Sequence, residues 1–321
     1  VAELTAPGAN RRWLTALKVG VSGGLLFYLL RYQVDLAQLW ATLRGARWEY
    51  LLIAGLLIVL GTALRAVRWQ ALLQALEMEV LLRRLIYLYF VGAFFNIFLP
   101  SGLGGDAVRM AELTQSTQRG PEAVGTTLVD RAMGLWVLFA LALVALPFSG
   151  GLLPPGWTPV IGAIAAVGVV GGWVVVTSPL LPWLGRRVKW PGREKVERFA
   201  HAVAELGYPA LARASLVSLV FDLLLIAFNV LVAAALGVRQ PLGVFLLFTP
   251  LISFSLALPI SVGGLGVREQ TYVLLFGAVG VPETTAVAMS LLNYTLSHVI
   301  VGLLGGLLYA VSNAKELAVH V

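Results

Sequence analysis

The chain contains no cysteine among its 321 residues. Disulfides and thiol chemistry are therefore excluded, while the compartment stays open. Charge is also scarce: Asp, Glu, Lys and Arg make up 12%, about half the ~25% of an ordinary soluble domain. Histidine occurs three times, at His201, His298 and His320, and no pair has the spacing of a zinc-hydrolase helix. Asp106 and Asp130 have no cluster of further oxygen ligands around them in sequence. No lysine and hydroxyl residue follow a glycine run in the manner of an ATPase phosphate loop. No polar stretch is long enough for a soluble catalytic domain. The expectation is a non-enzyme without cofactor or metal.

What is abundant is apolar surface, at 59% of residues. A full membrane span needs ~20 mostly apolar residues. Runs that meet this lie at about 13–30, 50–72, 124–148, 158–178, 210–237 and 284–311. The first begins near Leu14 with no small-residue cleavage site after it, so it is expected to be a span or anchor and not a removed signal. The net charge of +7 does not imply nucleic acid. The basic residues sit in short loops beside apolar runs, where cytoplasmic positive charge belongs.

A fifteen-residue pattern is repeated inside two further apolar regions, 85–118 and 242–280. The first copy has Phe95, Leu99-Pro100, Gly104-Gly105 and Val108-Arg109. The second has Phe254, Leu258-Pro259, Gly263-Gly264 and Val267-Arg268, at a constant offset of 159 residues. Agreement at seven positions indicates an internal duplication. Each copy places a Pro-Gly break and a charge inside an apolar stretch, which is the mark of a discontinuous membrane helix.

Orientation follows from lysine and arginine. The loop containing Arg186, Arg187, Lys189, Arg193, Lys195 and Arg198 is the most basic and is placed in the cytoplasm. The uncharged loop 149–157 falls outside, and 31–49 is also assigned outside. Both termini are then cytoplasmic, in the inner (cytoplasmic) cell membrane. Region 85–118 must leave from and return to the inside, and region 242–280 must start and finish outside; parity would also let 242–280 cross fully twice, and the shared motif spacing is the reason for treating both regions alike. The expected fold is an all-α polytopic membrane protein. It has about six full spans and two oppositely oriented re-entrant helical hairpins, in an inverted-topology repeat. It forms a single membrane domain over 1–321. The repeat units are about 50–148 and 210–312, with the basic loop at about 183–209.

Irregular backbone in a bilayer must be buried in protein or line a wet cavity. Pro100 and Pro259 stop the entering half-helices. Gly102, Gly104 and Gly105, with Gly263, Gly264 and Gly266, allow tight turns and close approach of a ligand. New half-helices then start near Asp106 and Leu265, with positive dipole ends aimed into the membrane. Arg109 and Arg268 lie one turn further on, where a guanidinium can fork onto a phosphate. The competing reading is that the glycines only permit packing and the arginines pair with Asp106, Glu112 or Glu269. Asn96 is placed to cap freed carbonyls or touch substrate. Asp130-Arg131 is either an internal ion pair or a marker of the cytoplasmic interface. Asp222 and Asn229 share a helix face, and Asp222 is a candidate for charge balance or proton coupling, as are Asn293 and His298. Arg65 and Arg68 are expected to snorkel to the cytoplasmic interface. Trp13, Trp40, Trp48, Trp157 and Trp183 are expected to mark span ends.

The stretch from Phe95 through Asn96, Leu99-Pro100, Gly104-Gly105-Asp106 and Val108-Arg109 resembles the signature of the lysylphosphatidylglycerol synthase transmembrane-region family, also called flippase-like membrane proteins. Leu128-Val129-Asp130-Arg131 with Gly134-Leu135 resembles that family's next motif. Leu258-Pro259 with Ser261, Gly263-Gly264, Gly266 and Arg268-Glu269 resembles its C-terminal motif. The resemblance covers roughly 15–315. It implies a lipid flippase or scramblase that moves a phospholipid or polyprenyl-linked lipid between leaflets. By motif match it carries over Asp106, Arg109, Asp130, Arg131, Arg268 and Glu269 as site residues. The substrate-binding set is then Asn96, Gly104, Gly105, Asp106, Arg109, Asp130, Arg131, Gly263, Gly264, Arg268 and Glu269. The expected partner is a membrane lipid with a phosphate-containing headgroup, and a lipid-modifying enzyme is a further candidate partner. No aminoacyl-transfer domain is encoded here, so the chain is not expected to make aminoacyl-lipid by itself. Two other functions fit the residues: a secondary transporter of a small soluble anion, and a membrane scaffold or intramembrane transferase subunit.

Overall fold

A computed structural model describes residues 20–25, 27–29, 31, 34–98, 104–148, 151–177, 203, 205–258, 261 and 263–319. The sequence-derived span at 13–30 and the basic loop at 183–209 fall largely outside these residues. So do Leu99, Pro100, Ser101, Gly102, Leu103 and Pro259, as do Trp13 and Trp183.

All regular secondary structure among the described residues is helical, with no strand among them. A short helix, α1 (Leu36–Arg44), is capped by Asp35, whose Oδ1 accepts from the Ala37 and Gln38 amides at 2.8 and 3.2 Å. Long apolar helices follow as α2 (Trp48–Ala75), α5 (Gly120–Ala145), α6 (Trp157–Thr177) and α7 (Gly207–Ala235). The last long unit is α10 (Glu283–Tyr294), which passes through a π-helical stretch, Thr295–Ile300, into α11 (Val301–Val319). These five units are long and apolar enough to cross a membrane, and they match the five later sequence-derived spans. The chain is a multi-pass membrane protein. Its outer faces carry exposed Leu52, Leu56, Leu60, Leu216, Leu223, Leu303 and Leu307, while charged side chains such as Arg68, Asp130 and Asp222 are buried. That distribution suits a lipid solvent outside and a polar interior.

Each motif region forms two described helices, one ahead of the motif's glycine pair and one at or just after it. The first gives α3 (Leu82–Phe98) and α4 (Gly104–Thr117), packed on each other. The second gives α8 (Leu242–Ala257) and α9 (Val267–Gly277), also packed on each other. Helix α4 begins two residues earlier than Asp106, and α9 begins two residues later than Leu265. In the second break, Gly263, Gly264 and Gly266 take φ of 59°, 83° and 79°, which side chains rarely tolerate. In the first, α3 and α4 approach so closely that a Cβ on Gly105 would overlap the Gly92 carbonyl oxygen.

The 159-residue offset extends beyond the motif. Adding it to Trp48–Ala75 gives 207–234, almost the whole of α7, and adding it to Phe98 gives Ala257, the end of α8. Helices α2 and α7 run antiparallel along each other at the centre. The Arg47 amide donates to the Ala235 carbonyl at 2.8 Å, Gly61 meets the Phe221 ring, and Arg68 reaches Ser218. Counterparts at the offset therefore point in opposite directions. The packing also exchanges: α3 lies on α11 as α8 lies on α5.

Candidate anion site between the two helix pairs

The two motif copies meet at a cavity of about 380 Å³. It is lined from one unit by α2, α3, α4 and α5, and from the other by α7, α8, the second break, α9, α10, the π stretch and the first residue of α11. Asn96, Gly105, Asp106, Arg109 and Arg131 line it from the first unit. Gly263, Gly264, Arg268, Asp222, Asn293 and His298 line it from the second. Gly104, Asp130 and Glu269 do not; the last two sit behind the lining and pair with arginines that do.

Arg109 is 2% exposed. Its Nη2 donates to Asp106 Oδ1, and its guanidinium lies over the rings of Tyr89 and Trp69, at 3.8 and 5.0 Å from their centroids. Its Nη1 is buried with no hydrogen-bond partner. A buried, unmatched charged donor is costly, so this second tine of the fork suits an acceptor entering the cavity. Asp106 Oδ2 makes ion-pair contact with Arg131.

Asp130 and Arg131 do not pair with each other, although they are neighbours in sequence. Arg68 Nε donates to Asp130 Oδ1 at 2.6 Å, the Tyr89 hydroxyl donates to Asp130 Oδ2, and Arg68 Nη1 donates to Ser218 Oγ at 3.0 Å. The expectation that Arg65 and Arg68 snorkel to the membrane surface is corrected by this geometry. Arg68 is 2% exposed, and both line the cavity. The reason is a long-range carboxylate: Asp130 lies 62 positions from Arg68, and an isolated sequence window contains no such partner. Arg65 makes no ion pair or hydrogen bond among the described residues; it lies 5.1 Å from the Tyr89 ring centroid and 5.7 Å from that of Phe221.

In the second copy, Arg268 donates from Nε and Nη2 to Glu269 Oε1 at 3.1 and 2.8 Å, and from Nε to Ser290 Oγ at 3.1 Å. Its guanidinium lies 4.2 Å from the Tyr294 ring centroid. Glu269 Oε2 accepts from the Gly266 amide at 2.7 Å, capping the start of α9. Asn96 has the same role in the first copy, since its Oδ1 accepts from the Gly105 amide at 2.6 Å. It caps a helix N–H and not a freed carbonyl. One N–H at each half-helix start is thus already satisfied by protein. The charge-balancing pairs Arg109–Asp106 and Arg268–Glu269 are present as well, whereas Glu112 is exposed.

A polar chain continues from this centre. Tyr272 Oη donates to Asn229 Oδ1 at 2.9 Å, and Asn293 Nδ2 donates to the same oxygen at 3.0 Å. Asn293 and His298 are five apart, a poor match to α-helical facing. The π-helical stretch, which begins two residues after Asn293 and contains His298, widens the turn and brings both to the cavity.

Gly20, Ser22 and Gly24 have the spacing of a hydrolase nucleophile elbow. Residues 20–25 are helical throughout, whereas that elbow requires a strand-to-helix turn at the serine. Among the described residues, no three His, Asp or Glu side chains group closely enough to hold a metal ion.

A family model described as the lysylphosphatidylglycerol synthase TM region matches residues 15–306. The chain belongs to this family. The match spans all three motifs and every cavity-lining helix through the start of α11. No curated protein matches the sequence.

Proposed function

We propose that this member of the lysylphosphatidylglycerol synthase transmembrane-region family moves an anionic lipid between leaflets, as a flippase or scramblase. The observation that carries the proposal is the shared cavity, lined by Arg109 and Arg268 from the two motif copies, by the unpaired Arg65, and by an unpartnered Arg109 Nη1. Guanidinium forks and stacked rings in a cleft are a strong phosphate environment. In this reading α3/α4 and α8/α9 are re-entrant hairpins that enter from opposite faces, and the units about 50–148 and 210–312 form an inverted repeat. The headgroup sits between their tips while the acyl chains stay in lipid. Rocking of one unit against the other then exposes the site alternately to each side. The antiparallel pairing of α2 with its counterpart α7 supports this arrangement.

Arg65 supplies the cleanest test. Its removal strands no carboxylate, unlike removal of Arg68, Arg109 or Arg268. Lipids that co-purify with gently extracted protein are identified by mass spectrometry, and that class is then followed across vesicle membranes. Arg65→Gln should melt within about 1 kcal/mol of wild type, because it breaks no buried ion pair. It should also lose the enriched anionic lipid and slow its movement about tenfold, the weight of one charge-assisted contact. Unchanged lipid movement by folded Arg65→Gln/Arg109→Gln protein would sink the proposal. Binding of inorganic phosphate without any lipid enrichment would favour transport of a soluble anion. Lipid modification without translocation would favour a transferase subunit.

A further inference from the structure

Four carboxylates lie in or behind the cavity, and three are matched by arginine: Asp106 with Arg109 and Arg131, Asp130 with Arg68, and Glu269 with Arg268. Asp222 is the exception. It lines the cavity, it is buried, and neither of its carboxylate oxygens has a hydrogen-bond partner. An ionised carboxylate in that position is expensive, and the expense falls when it gains a proton or a cation.

The helices packed on α7 define what Asp222 faces. From α2 come Arg65 and Arg68, but Arg68 is engaged by Asp130 and Ser218, and Arg65 lies over aromatic rings. From α5 come Asp130, already paired with Arg68, and Arg131, in contact with Asp106. Helix α8 contributes no titratable group to the lining; its Thr249 hydroxyl is buried and unpartnered as well. Helix α10 contributes Asn293, and the π stretch beyond it contributes His298. On its own helix Asp222 has Ser218 and Asn229.

An anion held by Arg65 and Arg109 enters the same cavity as Asp222. Two negative charges there repel, and the repulsion is large where water is scarce. A proton on the carboxylate removes it. By reciprocity, a protonated Asp222 must strengthen anion binding as much as the anion strengthens proton binding. We infer that Asp222 is a proton site coupled to the anion site, so that one proton and the anionic headgroup load the cavity together. The carboxylate takes its proton from the aqueous face then open and returns it at the other. No bond of the lipid is made or broken. A proton gradient then drives the lipid. This inference rests on the anion-site reading above.

The test uses the full chain in detergent and phosphatidylglycerol as probe, a phosphodiester whose own charge is constant from about pH 5 to about pH 9, far from its ionisation. Wild-type affinity should fall on the order of tenfold as pH rises across that range. Asp222→Asn should bind with one affinity throughout, and His298→Gln should keep the fall. Proton uptake by wild type on lipid binding, followed with a dye in weak buffer, reads the same coupling without any variant. A flat wild-type profile without proton uptake, in protein whose binding still needs Arg65, overturns the proton site and leaves the anion site standing. A fall that persists in Asp222→Asn but vanishes in His298→Gln also overturns the assignment. Binding that ignores Arg65 at every pH defeats the anion-site reading itself.

Discussion

Asp130 shows how one side chain can fix others from different parts of the chain. It accepts from Arg68 and from the Tyr89 hydroxyl, and Tyr89 in turn supplies the ring beneath Arg109. Asp130 is completely buried, so its loss leaves Arg68 as an uncompensated interior charge. Asp130→Asn should therefore cost about 3–5 kcal/mol, the usual penalty for breaking a buried pair from one side. It should also weaken lipid binding through displaced Tyr89 and Arg109. The pair Arg119–Glu122, at 3.2 Å and partly exposed, gives the contrast. Glu122→Ala should cost no more than about 1 kcal/mol. Melting of both variants in the same detergent checks the ordering. Comparable losses would mean that the Asp130 environment is wetter than its burial indicates.

At the scale of elements, the breaks hold the arginines in register. Helix α4 can bring Arg109 to the cavity because glycine on both sides lets α3 and α4 touch backbone to backbone. A Cβ on Gly92 would lie 2.9 Å from the Gly105 carbonyl oxygen and 3.2 Å from Arg109 Cγ. Gly105→Ala must separate the two helices and strain the Asn96 cap. We expect about 1–3 kcal/mol of destabilisation, as for overpacking elsewhere, with lipid binding lost in protein that still folds. Gly277→Ala, where an added Cβ meets open space, is the control and should retain binding. Equal binding by the two variants would remove the close approach from the argument. The break positions were legible in sequence because proline and glycine act locally. The π-helical stretch was not: it packs against α2 and α3, and no residue type within Thr295–Ile300 announces it.

For the whole molecule, the central prediction concerns direction. With no native cysteine, single cysteines report membrane sidedness without background. Glu79 and Arg239 are exposed at the ends of α2 and α7, which are counterparts at the 159-residue offset. Glu79→Cys should be labelled only from the cytoplasmic side and Arg239→Cys only from the other, by a membrane-impermeant maleimide on intact cells and inverted vesicles. Labelling of both from one side would rule out the inverted repeat.

The membrane class, five of the described spans, the duplication and the two motif arginines are properties of the sequence alone, because span length, helix breaks and repeat spacing are short-range or self-referential patterns. Which arginines are matched and which are left for a ligand was decided only in three dimensions. Arg68 meets Asp130 across 62 positions and Ser218 across 150, and sequence spacing carries no information about such pairings. The same holds for Asp222. On its helix it is one acidic residue among apolar neighbours, and only the packed interior reveals that Arg68 is engaged by Asp130 and Ser218 while Arg65 lies over aromatic rings, so neither pairs with it. Burial makes that difference matter, since an unmatched charge counts for little in water and for much inside a cavity.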